Sequence, residues 1–254
     1  MTEEQARVRW APEAASDALA TILGRPDALA RWRYLTEGYE LDARTLQRPV
    51  VFYHLWAGDE HHGANWLPPA SEFFTALESS RFDGDVRVGV VGGPEQQGDA
   101  ARWLQDRRPD WECAAIAHEG YEMVTLHALH QFAKAAHPGT PVLYAHGKGS
   151  FGRGEFRDRW RQAMITRAVA DWRHCVNSLH SHDAVGCHWL TREEFPGKID
   201  QPGVFGGNFW WANAGYLAGL PPIDPFGTAR HAAEGWVGLN DPKVECLVPG
   251  WPAY

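Results

Sequence analysis

A glycine-rich segment, His146-Gly147-Lys148-Gly149-Ser150, follows an apolar run and combines an imidazole, an ammonium group and backbone amides. Backbone N–H groups in such a turn attract anions, and Lys148 adds a positive charge at the same place. The combination suits a phosphate or a diphosphate. The segment lacks the G-x-x-x-x-G-K-[ST] spacing of a P-loop and is not a dinucleotide fingerprint. On this local pattern alone, an ordinary strand-to-helix turn with a solvated lysine is the better interpretation.

A second cluster, residues 206–213 (GGNFWWAN), contains two glycines, an asparagine and two adjacent tryptophans. Aromatic faces stack on sugar rings, and Asn208 offers hydrogen bonds to hydroxyl groups. The alternative is a core strand in which Trp210 and Trp211 point to opposite faces. Both tryptophans can face one ligand only if the backbone is irregular, which the two glycines would allow.

Arg230 and Glu234 lie four residues apart and would share one face of a short helix. One interpretation is a helical ion pair, which stabilises a helix only slightly. The other is a carboxylate that acts as a general base and is oriented by the arginine. The local pattern favours the ion pair.

The 13 histidines and four cysteines include no recognisable metal-ligand spacing. The adjacent histidines do not match H-E-x-x-H, and no cysteines form a C-x-x-C pair, so no metal site is predicted. Free thiols in a reducing cytoplasm are the better interpretation of the cysteines.

The elements that must position these residues follow from hydrophobic periodicity. Short β-branched or aromatic runs predict strands at 50–56, 86–91, 112–117, 141–145 and 183–189, and helical patterns predict helices at 69–79, 98–106, 122–136, 155–179 and 229–237. This alternation predicts an α/β fold with a mainly parallel sheet flanked by helices, whose ligands bind beyond the carboxyl ends of the strands. Residues 1–48 predict a polar, helical N-terminal extension, and residues 49–254 a single domain.

The composition limits the classes of protein. The 254 residues are 44% hydrophobic and 22% charged, as in a folded domain, and the net charge of −8 argues against duplex nucleic acid as a partner. No membrane span and no secretory signal is visible, so a cytoplasmic location is expected. The 13 tryptophans imply either a bulky core or aromatic faces presented to a ligand.

Taken together, six segments resemble bacterial and viral glycosyltransferase-like proteins of the GT-A type. The segments are Tyr53-His54, Gly120-Tyr121-Glu122 with Thr125-Leu126, Leu143 to Gly149, Trp160-Arg161, Gly207 to Ala212, and Arg230 to Trp236. The resemblance covers about residues 50–236 and leaves the helical start outside. The patterns H-x-K-G and G-N-F-W-W-A in this order are fairly specific, although each alone would be weak.

The resemblance implies a GT-A-like, Rossmann-like fold and an enzyme that moves a sugar from a nucleotide-sugar donor to a nucleophile of a small molecule or glycan. In GT-A enzymes a D-x-D pair usually holds a divalent metal, and the corresponding positions here are His146 and Lys148. A lysine cannot ligate Mg²⁺ or Mn²⁺ at neutral pH, but it offsets diphosphate charge directly. The departure predicts metal-independent stabilisation of the leaving group, with no cofactor beyond the donor, or a changed reaction.

The resemblance also implies roles for individual residues. Glu234 would be the general base of an inverting transfer, acting with His146 and Lys148 as the catalytic set. The nucleotide side would be lined by Tyr53, His54, Trp56, His118, Gly120 and Glu122, and the sugar and acceptor pocket would be shaped by Asn208, Trp210 and Trp211. The substrate-binding set would also include Thr125, Gly207 and Arg230.

Two alternatives stay open at this point. The first is an enzyme that keeps the GT-A scaffold but uses a different activated donor, because D-x-D is replaced. The second is a non-catalytic sugar-binding module, because the C-terminal third is rich in tryptophan. The N-terminal helices are a candidate surface for homodimerisation.

Overall fold

A seven-stranded sheet forms the centre of the computed structural model, which describes residues 48–58, 65–118, 120–148, 150, 154–194, 202–225 and 230–250. Its strands are β1 (Val50–Trp56), β2 (Asp85–Val91), β3 (Glu112–Ala117), β4 (Pro141–His146), β5 (Ala184–Gly186), β8 (Trp210–Asn213) and β9 (Val244–Cys246). Strands β6 (Trp189–Thr191) and β7 (Gly203–Phe205) form a separate antiparallel pair. The predicted N-terminal extension, with its candidate dimer surface, lies outside the described residues except for its last residue, Arg48.

The strand order in the central sheet is β3-β2-β1-β4-β8-β5-β9. Strands β1 to β4 are mutually parallel, and the order 3-2-1-4 is that of a Rossmann-like sheet. Strand β8 runs antiparallel to both of its neighbours, β4 and β5, whereas β5 and β9 are parallel. The predicted α/β class with a mainly parallel sheet is therefore confirmed.

Helices cover both faces of this sheet. They are α1 (Leu67–Ser79), α2 (Pro94–Arg107), α3 (Met123–Ala135), α4 (Glu155–Met164), α5 (Trp172–Ser178), α6 (Ala214–Ala218) and α7 (Arg230–Gly235), the last followed by a 3₁₀ turn over Trp236–Gly238. Alternate strand residues enter two separate cores. Tyr53 packs with α1, α2 and α4, while its neighbour Phe52 packs with α3, α6 and α7. No helix among these residues is both long and apolar enough to span a bilayer.

The predicted single helix over residues 155–179 is interrupted. Helix α4 ends at Met164, and Ile165–Ala170 form a π-helical segment before α5 begins. The buried indole of Trp211 donates a hydrogen bond of 2.7 Å to the carbonyl oxygen of Ala168 in that segment. A donor from the sheet therefore satisfies a carbonyl group of the widened turn, which periodicity along one helix does not reveal.

The two adjacent tryptophans lie in a regular strand rather than in an irregular loop. Trp210 and Trp211 are both fully buried, one in each core. This placement corrects the expectation that both wall an open sugar cleft and agrees with the alternative of a core strand. The reason is the alternation of side chains along β8 between two covered faces.

Candidate active site

The carboxyl ends of β1 and β4 place two histidines side by side. His54 is opposite His146 in the parallel register of these strands, and Phe52 is opposite Tyr144 two residues earlier. Because side chains alternate along a strand, His54, His146 and Tyr144 share one face of the sheet. This edge is where parallel α/β sheets bind their ligands.

Glu122, which directly precedes α3, lies at the centre of the polar residues at this edge. The hydroxyl group of Tyr144 donates to Glu122 Oε2 at 3.0 Å, and Asn208 Nδ2 donates to the same oxygen at 2.6 Å. The other oxygen, Oε1, is 3.4 Å from His146 Nδ1. We call His54, Glu122, Tyr144, His146 and Asn208 the polar cluster.

The direction of β8 brings Asn208 to this edge. Because β8 is antiparallel to β4, the residues that precede β8 meet the residues that end β4. Gly207 and Asn208 have φ values of 89° and 55°, which glycine and asparagine tolerate better than other residues. The Gly207 carbonyl oxygen is 2.9 Å from His146 Nε2, and Asn208 Oδ1 accepts a 2.7 Å bond from Trp210 Nε1.

Burial and charge tune the ionisable members of the cluster. Burial raises the pKa of Glu122. The charges of His146 and His54 and the hydrogen bonds from Asn208 and Tyr144 together lower it by more, so the pKa stays below its usual value. Burial lowers the pKa of His54 to about 4, against the attraction of Glu122. Burial also lowers the pKa of His146, with Lys148 acting in the same direction. The directions of these pKa shifts favour an ionised Glu122 beside neutral imidazoles of His54 and His146 at neutral pH.

Helix α3 fixes the orientation of His54. His54 Nδ1 is 2.8 Å from Thr125 Oγ1, and the Thr125 side chain is fully buried. Gly89, which is opposite His54 on β2, leaves room for this threonine, because a Cβ atom at Gly89 would overlap Thr125 Oγ1. Thr125 therefore acts as a positioning residue rather than as part of a ligand surface.

The turn after β4 carries Lys148 next to the cluster. Its Nζ atom lies 4.2 Å from the centroid of the Trp160 ring on α4, a cation–π distance. Arg161 donates from Nη1 to the Lys148 carbonyl oxygen at 3.2 Å and binds Glu72 through two bonds of 2.9 Å. The Gly147 amide donates to the His54 carbonyl oxygen at 3.2 Å, so the turn is attached to β1 as well.

The remaining predicted residues fall into different environments. Tyr53 is fully buried on the opposite face of the sheet against Phe73, and burial raises its pKa well above its usual value. This position removes Tyr53 from the expected nucleotide side. Trp56 is half-buried at the end of β1, and His118 is exposed after β3. Gly120, with φ of 136°, gives the chain the bend that leads into Glu122.

Glu234 is half-buried on α7, and its negative charge acts on His146. The Ala233 carbonyl oxygen is 3.5 Å from Asn208 Nδ2, so α7 adjoins the polar cluster. The side chain of Arg230 lies outside the described residues, and with it the predicted ion pair to Glu234.

Two residues at the candidate site, Tyr144 and Trp160, were not predicted from the sequence. Tyr144 received no role because it lies within an apolar strand, although its position two residues before His146 places it on the same face. Trp160 could be matched to Lys148 only from the packing of α4, for which the sequence carries no signal. Among the described residues, no group of three or more histidine, cysteine or acidic side chains is arranged to hold a metal ion.

The fold and the polar cluster define an α/β protein with a candidate active site at the carboxyl end of its parallel strands. The chain belongs to the family described as "Domain of unknown function (DUF8361)", whose model matches residues 52–245. A comparison with curated proteins gives no match.

Among solved structures, the chain is similar to HddC from Yersinia pseudotuberculosis, with 8% identity over 79% of this chain and 90% of that chain and a TM-score of 0.46. It is also similar to a 4-diphosphocytidyl-2C-methyl-D-erythritol synthase, with 15% identity, coverage of 82% and 91%, and a TM-score of 0.38. The synthase of that name from Anaerococcus prevotii DSM 20548 gives 9% identity, coverage of 82% and 92%, and a TM-score of 0.40.

Proposed function

We propose that this protein is a nucleotide-sugar-dependent transferase of the GT-A type, which moves a sugar onto a hydroxyl group or another nucleophile. The observation that carries the proposal is Glu122 at the ligand-binding edge of the sheet, 3.4 Å from His146, with its pKa held below its usual value. Polar groups with perturbed pKa values in such a position are typical of active sites. The resemblance of six segments to GT-A proteins supports a sugar nucleotide as the donor.

Lys148 has the role of offsetting the charge that develops on the diphosphate leaving group. Its ammonium group is held over the Trp160 ring, and an indole face orients a cation without carrying a charge of its own. Because lysine occupies the second position of the D-x-D pattern, the proposed transfer uses this cation in place of a divalent ion.

Isothermal titration calorimetry against UDP, GDP, CDP and dTDP and their common sugar conjugates tests the proposal. We expect at least one nucleoside diphosphate to bind, with the same affinity in the presence of EDTA. Lys148→Ala should weaken that binding at least about tenfold, because a hydrogen bond to a charged group contributes about 1.5–3 kcal/mol. The matched control is Lys134→Ala, which removes an exposed lysine from the end of α3.

Two results would count against the proposal. Absence of heat with every nucleotide at millimolar concentration contradicts the assignment as a nucleotide-sugar enzyme. Equal affinity in Lys148→Ala and Lys134→Ala removes Lys148 from the binding site.

A different activated donor is a second candidate, favoured by the lysine in the D-x-D position. Mass spectrometry of the product distinguishes the two, because a sugar retained on the acceptor supports glycosyl transfer. The alternative of a non-catalytic sugar-binding module depended on an exposed aromatic surface. Trp210 and Trp211 do not supply that surface, because both are fully buried.

A further inference from the structure

We infer that Glu122, paired with His146, accepts the proton of the reaction at this site, in place of Glu234. The inference rests on the proposed function, because it names the group that activates the nucleophile. It is carried by the hydrogen bonds around the two side chains.

The hydrogen bonds of His146 determine which of its nitrogen atoms faces Glu122 as an acceptor. A carbonyl oxygen accepts only, so the 2.9 Å contact between His146 Nε2 and the Gly207 carbonyl oxygen assigns the imidazole hydrogen to Nε2. A neutral imidazole has one N–H group, and Nδ1 therefore presents a lone pair to Glu122 Oε1 at 3.4 Å. His146 Nδ1 and Glu122 Oε1 are then two acceptors that face each other, and a proton added between them would be shared by both.

The two oxygens of Glu122 have different environments. Oε2 receives the hydrogen bonds from Tyr144 and Asn208, which fix the plane of the carboxylate. Oε1 is the oxygen that faces His146. This division of roles leaves Oε1 oriented for proton transfer while Tyr144 and Asn208 act as positioning residues.

The ionisable groups around the pair come from four elements. His54 on β1 and Tyr144 on β4 are fully or almost fully buried, Lys148 approaches from the turn after β4, and Glu234 from α7. Burial and Lys148 disfavour a proton on His146, whereas Glu122 and Glu234 favour one. The balance leaves the pKa of His146 below its usual value, and Glu234 adds electrostatic support when the pair takes up a proton.

The pair is also the part of the polar cluster that retains contact with the surroundings. The side chains of His146 and Glu122 are 13% and 11% exposed, whereas Tyr144 and Asn208 have no exposed surface. A nucleophile that approaches this edge of the sheet can therefore meet the pair without displacing the groups that hold it.

The acceptor hydroxyl group gives its proton to the Glu122–His146 pair while its oxygen forms a bond to C1 of the sugar. The bond between C1 and the diphosphate oxygen breaks, and its electron pair leaves with the diphosphate. The pair later releases the proton to water.

The first test follows the protonation of His146 by NMR in the full chain, with the signal assigned from His146→Gln. Removing the charge in Glu122→Gln should lower the pKa of His146, because the carboxylate favours the imidazolium form. Glu95→Gln, which neutralises an exposed carboxylate on α2, should leave it unchanged. An unchanged His146 pKa in Glu122→Gln would overturn the inference whether or not a nucleotide binds.

The second test measures turnover of the sugar nucleotide that binds most tightly in the calorimetric panel, as release of nucleoside diphosphate. We expect Glu122→Gln to lower kcat about 100-fold or more, with nucleotide affinity within about threefold of wild type and Glu95→Gln unchanged. Normal kcat in Glu122→Gln together with loss of activity in Glu234→Gln would overturn the inference. Failure of every sugar nucleotide to bind refutes the proposed function instead, and the pair is then judged on the NMR result.

Discussion

Asn208 connects three parts of the molecule, so its replacement by alanine should be strongly destabilising. Its side-chain amide donates to Glu122 at 2.6 Å and accepts from the Trp210 indole at 2.7 Å. Asn208 itself has no exposed surface. Alanine removes both hydrogen bonds at once and leaves Glu122 and Trp210 without them. The substitution also places alanine at a φ of 55°, in the left-handed region that asparagine tolerates better than alanine.

The cost follows from these three losses. A hydrogen bond to a charged group contributes about 2 kcal/mol, and a buried indole N–H left without a partner costs about 1 kcal/mol or more. Alanine in the left-handed region adds about 1 kcal/mol relative to a residue that tolerates it. The sum is about 4 kcal/mol, a large fraction of the roughly 5–15 kcal/mol that stabilises a typical domain.

Urea unfolding followed by circular dichroism measures this loss. The matched control is Asn240→Ala, because Asn240 donates a single 3.0 Å bond to the Gly219 carbonyl oxygen at an exposed position, and its loss should cost below about 0.5 kcal/mol. Asn208→Asp is the informative second variant. It places a carboxylate against Glu122, so one of the two carboxyl pKa values rises and the variant should lose stability as the pH rises through that value. A loss below about 1 kcal/mol in Asn208→Ala would refute the reasoning.

Three further predictions concern the same cluster. The pKa of Glu122 is held below its usual value, so its contribution to stability should be present above about pH 4.3 and decline as the pH falls through the lower native value. A constant difference in the free energy of unfolding between wild type and Glu122→Gln from pH 7 to pH 3 would contradict this. The pKa of His54 is lowered from 6.5 to about 4, so wild type should lose stability as the pH falls across that window, and His54→Gln should lose up to about 3 kcal/mol less. Urea unfolding at several pH values gives the free energy of unfolding of both proteins. If that free energy changes equally with pH in wild type and in His54→Gln, a neutral, buried His54 is excluded. Gly89→Ala should destabilise the protein by about 2 kcal/mol or more by displacing Thr125, whereas Gly154→Ala, where a Cβ atom meets nothing within 4 Å, should be close to neutral in thermal unfolding.

Hydrophobic periodicity predicted the first half of the sheet well. The bounds of β1 and β3 agree with the expected strands at 50–56 and 112–117, because β-branched and aromatic runs bounded by turn residues have few other structures available. The strand expected at 183–189 is divided into β5 and β6, because His188 adopts a φ of 56° that does not continue a strand. Its backbone conformation depends on tertiary contacts that the sequence does not display.

The sequence predicted several of the residues that meet at the candidate site, but it did not predict what each of them contacts there. His54, Glu122, His146 and Asn208 were all expected near the ligand, and the structure brings them together. Asn208 was expected to bind sugar hydroxyl groups, but both ends of its amide are used inside the protein. The bond from Asn208 to Glu122 depends on the antiparallel direction of β8, and the order of residue types along the sequence does not reveal that direction.

The antiparallel strand also has a consequence for the order in which the molecule is completed. The contact between Glu122 and Asn208 joins residues 86 positions apart, and the contact between His146 and Gly207 joins residues 61 positions apart. Contacts of such long range form slowly, because closing a long loop costs entropy before the contact is gained. During synthesis, β1 to β4 leave the ribosome well before β8, so the nascent chain carries the carboxylate and both imidazoles without the segment that joins them. The site is therefore complete only after the segment that leads into β8 has joined the end of β4.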